Sequence, residues 1–292
     1  MREFEIHDFI DLGGKNNEEE GSARSPAERA VPLKGVEHGR YAELLVLRDD
    51  YRKEASGIMT LYVYEFGTLL TELFACRIRC MKMERGLSYC TGTLKRGGVL
   101  DQQLLRSSME EGMEGLNAQL ARMRGDSLAC RQLRTVPDAR ISRAKRLYRQ
   151  IARMIRPEIN PQTQSLEALQ RLWQRTQDAY RTNSVSDLES ILSDTVNLLR
   201  RENIYGREVT LTDLPRKIRT TEEEIDRIVT SAPYTYKELL GSRQKIIDRK
   251  AELVREIVMY KDRCREEQGE LEHWLISHGI TVSFLLRQVG GA

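Results

Sequence analysis

Seven cationic side chains, Arg140, Arg143, Lys145, Arg146, Arg149, Arg153 and Arg156, fall in one stretch with no acid between them, and Pro157 and Glu158 follow directly. At helical pitch the run covers about five turns. Guanidinium groups at this density bind carboxylates or phosphates through charge-assisted, often bidentate hydrogen bonds, so the chemistry on offer is recognition of an acidic partner. The run reads equally as a docking face and as solvated decoration. Taken whole, the chain is balanced, with 47 Lys and Arg against 44 Asp and Glu and a net charge of +3. No global field therefore marks a nucleic-acid-binding domain.

Other reactive residue types form no recognisable site. There is no Gly-rich phosphate loop, no Gly-x-Ser-x-Gly, no His-Glu-x-x-His and no histidine near a nucleophile, so no enzyme activity and no cofactor is expected. Glu222, Glu223 and Glu224 follow Thr220 and Thr221 and read as acids early in a helix, where they favour the positive end of its dipole. Cys76 and Cys80 stand at i, i+4, where two thiolates could share a metal, but a structural zinc site needs four ligands and His7, His38, His273 and His278 lie far away. Because Cys76, Cys80 and Cys90 share an apolar seam, they are expected to pack as small buried hydrophobes, without metal and without disulfides.

The elements that must position the basic run are helical. In the 292-residue chain, apolar positions Ile58, Tyr62, Phe66, Leu69, Leu73, Cys76, Cys80, Met83, Leu87, Cys90 and Leu94 alternate in steps of three and four, a heptad seam. A helix over 58–94 alone spans roughly 55 Å. Gly57, Gly67 and Gly86 lower its intrinsic helicity, so it needs a packed partner. Gly97-Gly98 breaks the pattern, Asp101 is a plausible N-cap, and a Met-rich stripe from Leu105 to Met123 resumes it until Gly125. Residues 40–125 thus form a long helical hairpin arm. A second rod over 233–278 carries Leu239, Ile246, Leu253, Ile257, Tyr260, Cys264, Leu271 and Trp274, interrupted by Arg243, Lys250 and Glu267. It is expected to pair as a coiled coil with the arm, or with a second copy in a homodimer.

Residues 1–39 read as a disordered tail and 279–292 as a second tail. Within the first, Phe4, Ile6, Phe9 and Ile10 stand among acids, which gives either an unfolded end or a short docking segment. The longest apolar window, Ile58 to Ile78, contains Glu65, Glu72 and Arg77 and is no membrane span, and Met1 to Gly14 lacks the basic start and apolar run of a secretory signal. The location expected is cytoplasmic.

Between the rods, Val136-Pro137-Asp138 opens a helix that runs to Ile155, and Pro157 and Pro161 bracket a rigid loop because proline cannot continue a helix. From Ser165 a second helix carries Leu169, Leu172, Trp173, Thr176, Ala179 and Tyr180 on one face, opposite Leu147, Tyr148, Ile151, Ala152 and Ile155 of the first. The two should pack antiparallel and hold the loop at their tip. Connecting helices follow near 186–203 and 212–231, within 186–232.

The string Tyr148-Arg149-x-Ile151-Ala152, the Arg156-Pro157-Glu158-x-Asn160-Pro161 loop and Trp173-x-x-Thr176-x-x-Ala179-Tyr180 resemble helices II and III of a J-domain. The layout is similar to bacterial J-domain-containing proteins with flanking coiled coils. The resemblance covers about 45 residues and implies a degenerate J-like helix pair over 136–185. In that family a His-Pro-Asp loop and a basic helix II contact a seventy-kilodalton heat-shock chaperone and stimulate its ATP hydrolysis. Here Arg156 replaces the histidine and Glu158 the aspartate, and no helix I is recognisable upstream, since Leu128 to Thr135 is short and polar. Arginine cannot present a neutral imidazole, and glutamate moves the carboxylate by one methylene.

The resulting expectation is an all-α protein with long helical arms flanking a J-domain-like antiparallel helix pair. It serves as a protein-interaction module, a divergent co-chaperone or adaptor, with chaperone stimulation weak or lost. Its partner-binding residues are Arg146, Arg149, Arg153, Arg156, Pro157 and Glu158. The alternatives are a coiled-coil scaffold without a chaperone role and, with less support, a nucleic-acid-binding protein that uses Arg143, Arg146, Arg149 and Arg153. Trp173 and Tyr180 fall on the apolar face, whereas base stacking needs exposed rings.

Overall fold

A computed structural model of the chain describes residues 35–132, 136–204 and 211–280. Among these residues there are ten helices and no strand, so the fold is all-α. No helix among them is long and apolar enough to cross a membrane. The described residues divide into two compact units, one of 35–61 with 136–204 and 211–238 and one of 62–132 with 239–280. Helix α1, Gly35–Lys95, contributes to both. The sequence reading keeps 40–125 together as one arm, but α1 is buried against different partners before and after Leu61.

In the second unit the heptad seam of α1 is the inner face. Phe66, Leu73 and Cys76 cluster with Leu253 and Ile257 of α10, Arg243–Ser277, and Cys80, Met83 and Cys90 cluster with Cys264, Leu271 and Leu275. Lys250 donates to Glu65 at 2.5 Å and Lys261 to Glu72 at 2.5 Å, so the two helices run parallel. Lys250, read as an interruption of the seam, thus sits in an ion pair between the two helices. The rod read as 233–278 is split: α9, Tyr236–Leu240, precedes α10, whose N-cap Ser242 accepts from the Lys245 amide.

The return arm is also two helices. The stretch from Gly97, at φ +68°, ends α1, and the carboxylate of Asp101 caps α2, Gln102–Glu110, by accepting from the Leu104 amide at 2.8 Å. The Met-rich stripe then breaks at Gly112, which adopts φ +65°, a conformation that costs glycine little. Helix α3, Glu114–Gln132, runs through Gly125, where the sequence reading stops it, because Ser127 and Cys130 beyond that point are buried. Met109 meets Gly86 and Ser127 meets Gly67, so α2 and α3 run antiparallel to α1.

In the first unit, α4 (Asp138–Ile155), α6 (Glu167–Arg181) and α7 (Val185–Arg201) bury a shared core of Tyr148, Ile151, Ile155, Leu169, Trp173 and Ile191. The second helix of the pair does not begin at Ser165. Gln162–Ser165 forms a separate turn, α5, and Leu166 is extended before α6 starts. Residue 156 follows α4 directly as its C-cap. Helix α8, Leu214–Thr230, agrees with the helix expected near 212–231, but its acids do not fall early in it as read. Glu222 and Glu224 are therefore mid-helix and pair with Arg40, Arg48 and Arg52 of α1. Tyr41, Ala42 and Leu45 of α1 pack with Ile159 and Ile218.

The helix already begins at Gly35, so the tail read as 1–39 is shortened, and residues 1–34 lie outside the described residues. Of the tail read as 279–292, Gly279 and Ile280 are described, and Ile280 packs against the α1–α10 core. Residues 281–292 lie outside, as do 133–135 of the segment searched for a helix I, while Leu128 to Gln132 belong to α3.

Candidate functional site

The basic run lies on α4, and its loop end is enclosed. Arg156 is 2% exposed. Its Nη1 donates to Asp49 Oδ2 of α1 at 2.5 Å, its Nη2 lies 3.4 Å from Asp49 Oδ1 and 3.3 Å from Glu158 Oε1, and its guanidinium carbon stands 5.5 Å from the centre of the Trp173 ring. Burial works against the guanidinium charge, but Asp49, Tyr148 and Glu158 outweigh it and hold the group above its usual pKa.

Asp49 has a second donor, since Tyr148 Oη bonds Asp49 Oδ2 at 2.5 Å. The neighbouring Asp50 takes the next set: Tyr180 Oη at 2.6 Å, Lys145 Nζ at 2.8 Å and Arg149 Nη2 at 3.0 Å. The Tyr148 and Tyr180 rings stack at 4.1 Å, and Arg156 faces Trp173 in the same core, so α4 and α6 run antiparallel. Burial first, and then the adjacent carboxylates, push both phenols well above their ordinary value, so both act as donors across the physiological range.

Lys53, one turn beyond Asp49 on α1, holds the far end of α6. Its Nζ donates to the Tyr180 carbonyl at 2.7 Å and to Asn183 Oδ1 at 2.5 Å, and lies 3.7 Å over the Tyr180 ring. Asn183 is fully buried at φ +48°, and Arg140 Nε donates to its carbonyl at 2.9 Å. Cations at the carbonyl end of a helix complement its dipole. Burial, reinforced by Lys145 and opposed by Asp50, brings the Lys53 amine down to about 7.

The residues expected to form one partner surface are therefore divided. Arg156 is buried and ion-paired, which corrects its placement on a docking face: a guanidinium beside a carboxylate in a closed core has no donor to offer outward. Arg149 is exposed but engaged by Asp50. Pro157 is half-buried, and Glu158 is exposed at the rim with Oε1 3.6 Å from Arg48. Arg146 is exposed and Arg153 half-buried, and neither has an ion pair among the described residues. Arg143 pairs with Glu189 of α7. Trp173 and Tyr180 are each 7% exposed.

Asp49, Asp50 and Lys53 escape a motif search because they lie about a hundred residues from their partners. The available signal is an Asp-Asp step on a helix otherwise burying Leu45, Val46, Ala55 and Ile58. All five cysteines are buried thiols, and Cys80 donates to the Tyr260 carbonyl at 3.2 Å, so they serve as core residues. Among the described residues no group of three His, Cys, Asp or Glu side chains converges to hold a metal. Compared with protein-family models, curated proteins and solved structures, the chain matches none.

Proposed function

We propose that the chain is a protein-interaction module, a divergent J-domain-like co-chaperone or adaptor whose stimulation of a seventy-kilodalton heat-shock chaperone is weak or lost. The supporting observation is that Arg156, which stands where the resemblance places the loop histidine, is buried on Asp49. A partner approaching the loop meets Glu158, Pro157, Arg153 and Arg146, with the family's histidine position withdrawn. The ties from Asp49, Asp50 and Lys53 to α4 and α6 favour a second reading, in which the pair serves only as a scaffold that fixes α1.

Single-turnover ATP hydrolysis by such a chaperone separates the readings when the native chain, Pro157→Ala and Arg156→His/Glu158→Asp are compared. Little or no stimulation by the native chain, with stimulation gained in the double reversion, is the expected result. Strong stimulation by the native chain that collapses in Pro157→Ala overturns the claim of lost activity. No stimulation by any of the three leaves the scaffold reading.

A further inference from the structure

A groove of about 440 Å³ lies between α6 and α7, away from the Asp49 network. Its floor is Ala168, Leu172 and Leu198, and Arg171, Arg175 and Arg201 line its sides. Both helices present lining residues at i, i+3, i+4 and i+7, so each turns one continuous stripe toward the groove. The volume falls in the range of about 300–1,000 Å³ typical of ligand sites. Asp194 is the one acidic residue of the lining, and with Glu167 and Glu202 beside it the three arginines are matched by three carboxylates. Each arginine has a carboxylate neighbour: Arg175 to Asp194 at 3.7 Å, Arg171 to Glu167 at 2.9 Å and Arg201 to Glu202 at 3.0 Å. The arginine side chains are 56–74% exposed. Exposed pairs of this kind are weak and yield to a better anion.

We propose that this groove binds the chain's own segment Glu3–Leu12. The segment alternates what the groove needs: Phe4, Ile6, Phe9, Ile10 and Leu12 for the apolar floor, and Glu3, Glu5, Asp8 and Asp11 for the guanidinium groups. The other acidic run of this region, Glu18 to Glu20, has no apolar residue to fill the floor. The tether from Gly13 to Lys34 is 22 residues long and reaches at most about 70 Å. A compact unit of this size has a radius of gyration of roughly 15 Å. A tethered segment of that reach has an effective concentration on the order of millimolar, so modest contacts suffice for occupancy.

The test is fluorescence anisotropy of a labelled Met1–Gly14 peptide titrated with three full-length proteins: the native chain, Phe4→Ala/Phe9→Ala, and that variant with Arg171→Gln/Arg175→Gln added. Circular dichroism confirms that all three keep their helix content. The peptide is expected to bind Phe4→Ala/Phe9→Ala at least about tenfold more tightly than the native chain, whose own segment competes, and to lose that affinity when the arginines are removed. Equal binding to the first two proteins, no binding to either, or binding unaffected by the arginine changes overturns the proposal. So does native self-association that Phe4→Ala/Phe9→Ala abolishes, because it places the segment on a second copy.

Discussion

Asp49 of α1 accepts from Arg156 Nη1 at 2.5 Å, and the same oxygen accepts from Tyr148 Oη at 2.5 Å. One carboxylate thus neutralises the most deeply buried cation of the first unit and satisfies the phenol that stacks on Tyr180. The Arg-Pro-Glu loop is fixed in place by a residue that lies more than a hundred positions earlier in sequence. A buried guanidinium needs such a partner, since an uncompensated charge in a closed core costs several kcal/mol.

The two tyrosines share this work. Tyr148→Phe and Tyr180→Phe each remove a hydrogen bond to a carboxylate while keeping the stacked rings, and each is expected to cost about 1.5–3 kcal/mol. Urea denaturation followed by circular dichroism checks this. A loss below about 0.5 kcal/mol in both variants means that water replaces the phenols and the carboxylates are not closed off.

The pH dependence of stability follows from the displaced groups. Burial lowers His38 from its ordinary 6.5, so the unfolded chain binds the proton more readily and stability rises with pH up to about 6.5. Lys53, brought down to about 7 from 10.5, adds a second rise between those values by the same sign. Burial raises the thiols, Cys80 to about 12 and Cys130 to about 11 from 9.0, and raises the phenols of Tyr148 and Tyr180 from 10.0. These acids ionise first in the unfolded chain, so stability falls as pH climbs above about 9. Denaturation midpoints measured from pH 6 to 10 are expected to peak between about 8 and 9, with Lys53→Met flattening the rise above 7. An unchanged rise in Lys53→Met removes that lysine from the account.

Two helical glycines should respond oppositely to substitution. A Cβ at Gly86 would lie 3.0 Å from Leu271 Cδ2 and 3.3 Å from Met109 Cγ, whereas at Gly125 nothing lies within 4 Å. Gly125→Ala is expected to stabilise by about 0.5–1 kcal/mol through backbone entropy. Gly86→Val is expected to destabilise by about 1–3 kcal/mol through overpacking of the α1–α10 contact. Thermal unfolding reads both, and a stabilising Gly86→Val would show that the two helices do not approach at that point.

Much of the fold is legible in the sequence because its signals are local and periodic. The seam from Ile58 to Leu94 faces inward throughout, Asp101 caps α2, and Pro157 and Pro161 bound the turn between α4 and α6. The errors have local causes too. Gly125 reads as the end of a helix that in fact continues, since burial of Ser127 and Cys130 outweighs a propensity cost of about 1 kcal/mol. The stripe from Leu105 to Met123 keeps its spacing through Gly112 and so hides the break there, where a positive φ divides α2 from α3. The site was least legible. Arg156 has the composition of a surface residue, and nothing near it in sequence reveals that Asp49 buries it. Pairings across a hundred residues carry no spacing rule, whereas heptads and caps do.

The claim that the loop is locked onto α1 is tested most directly by a double-mutant cycle on the full-length chain: Asp49→Leu, Arg156→Met and the two combined, each measured by urea denaturation. Asp49→Leu alone is expected to cost about 3–5 kcal/mol by stranding a buried guanidinium. The combined variant should recover much of that loss, giving a coupling of about 2 kcal/mol or more. Additive losses, with a coupling below about 0.5 kcal/mol, would mean that Asp49 and Arg156 do not hold each other, and the account of a withdrawn loop would fail.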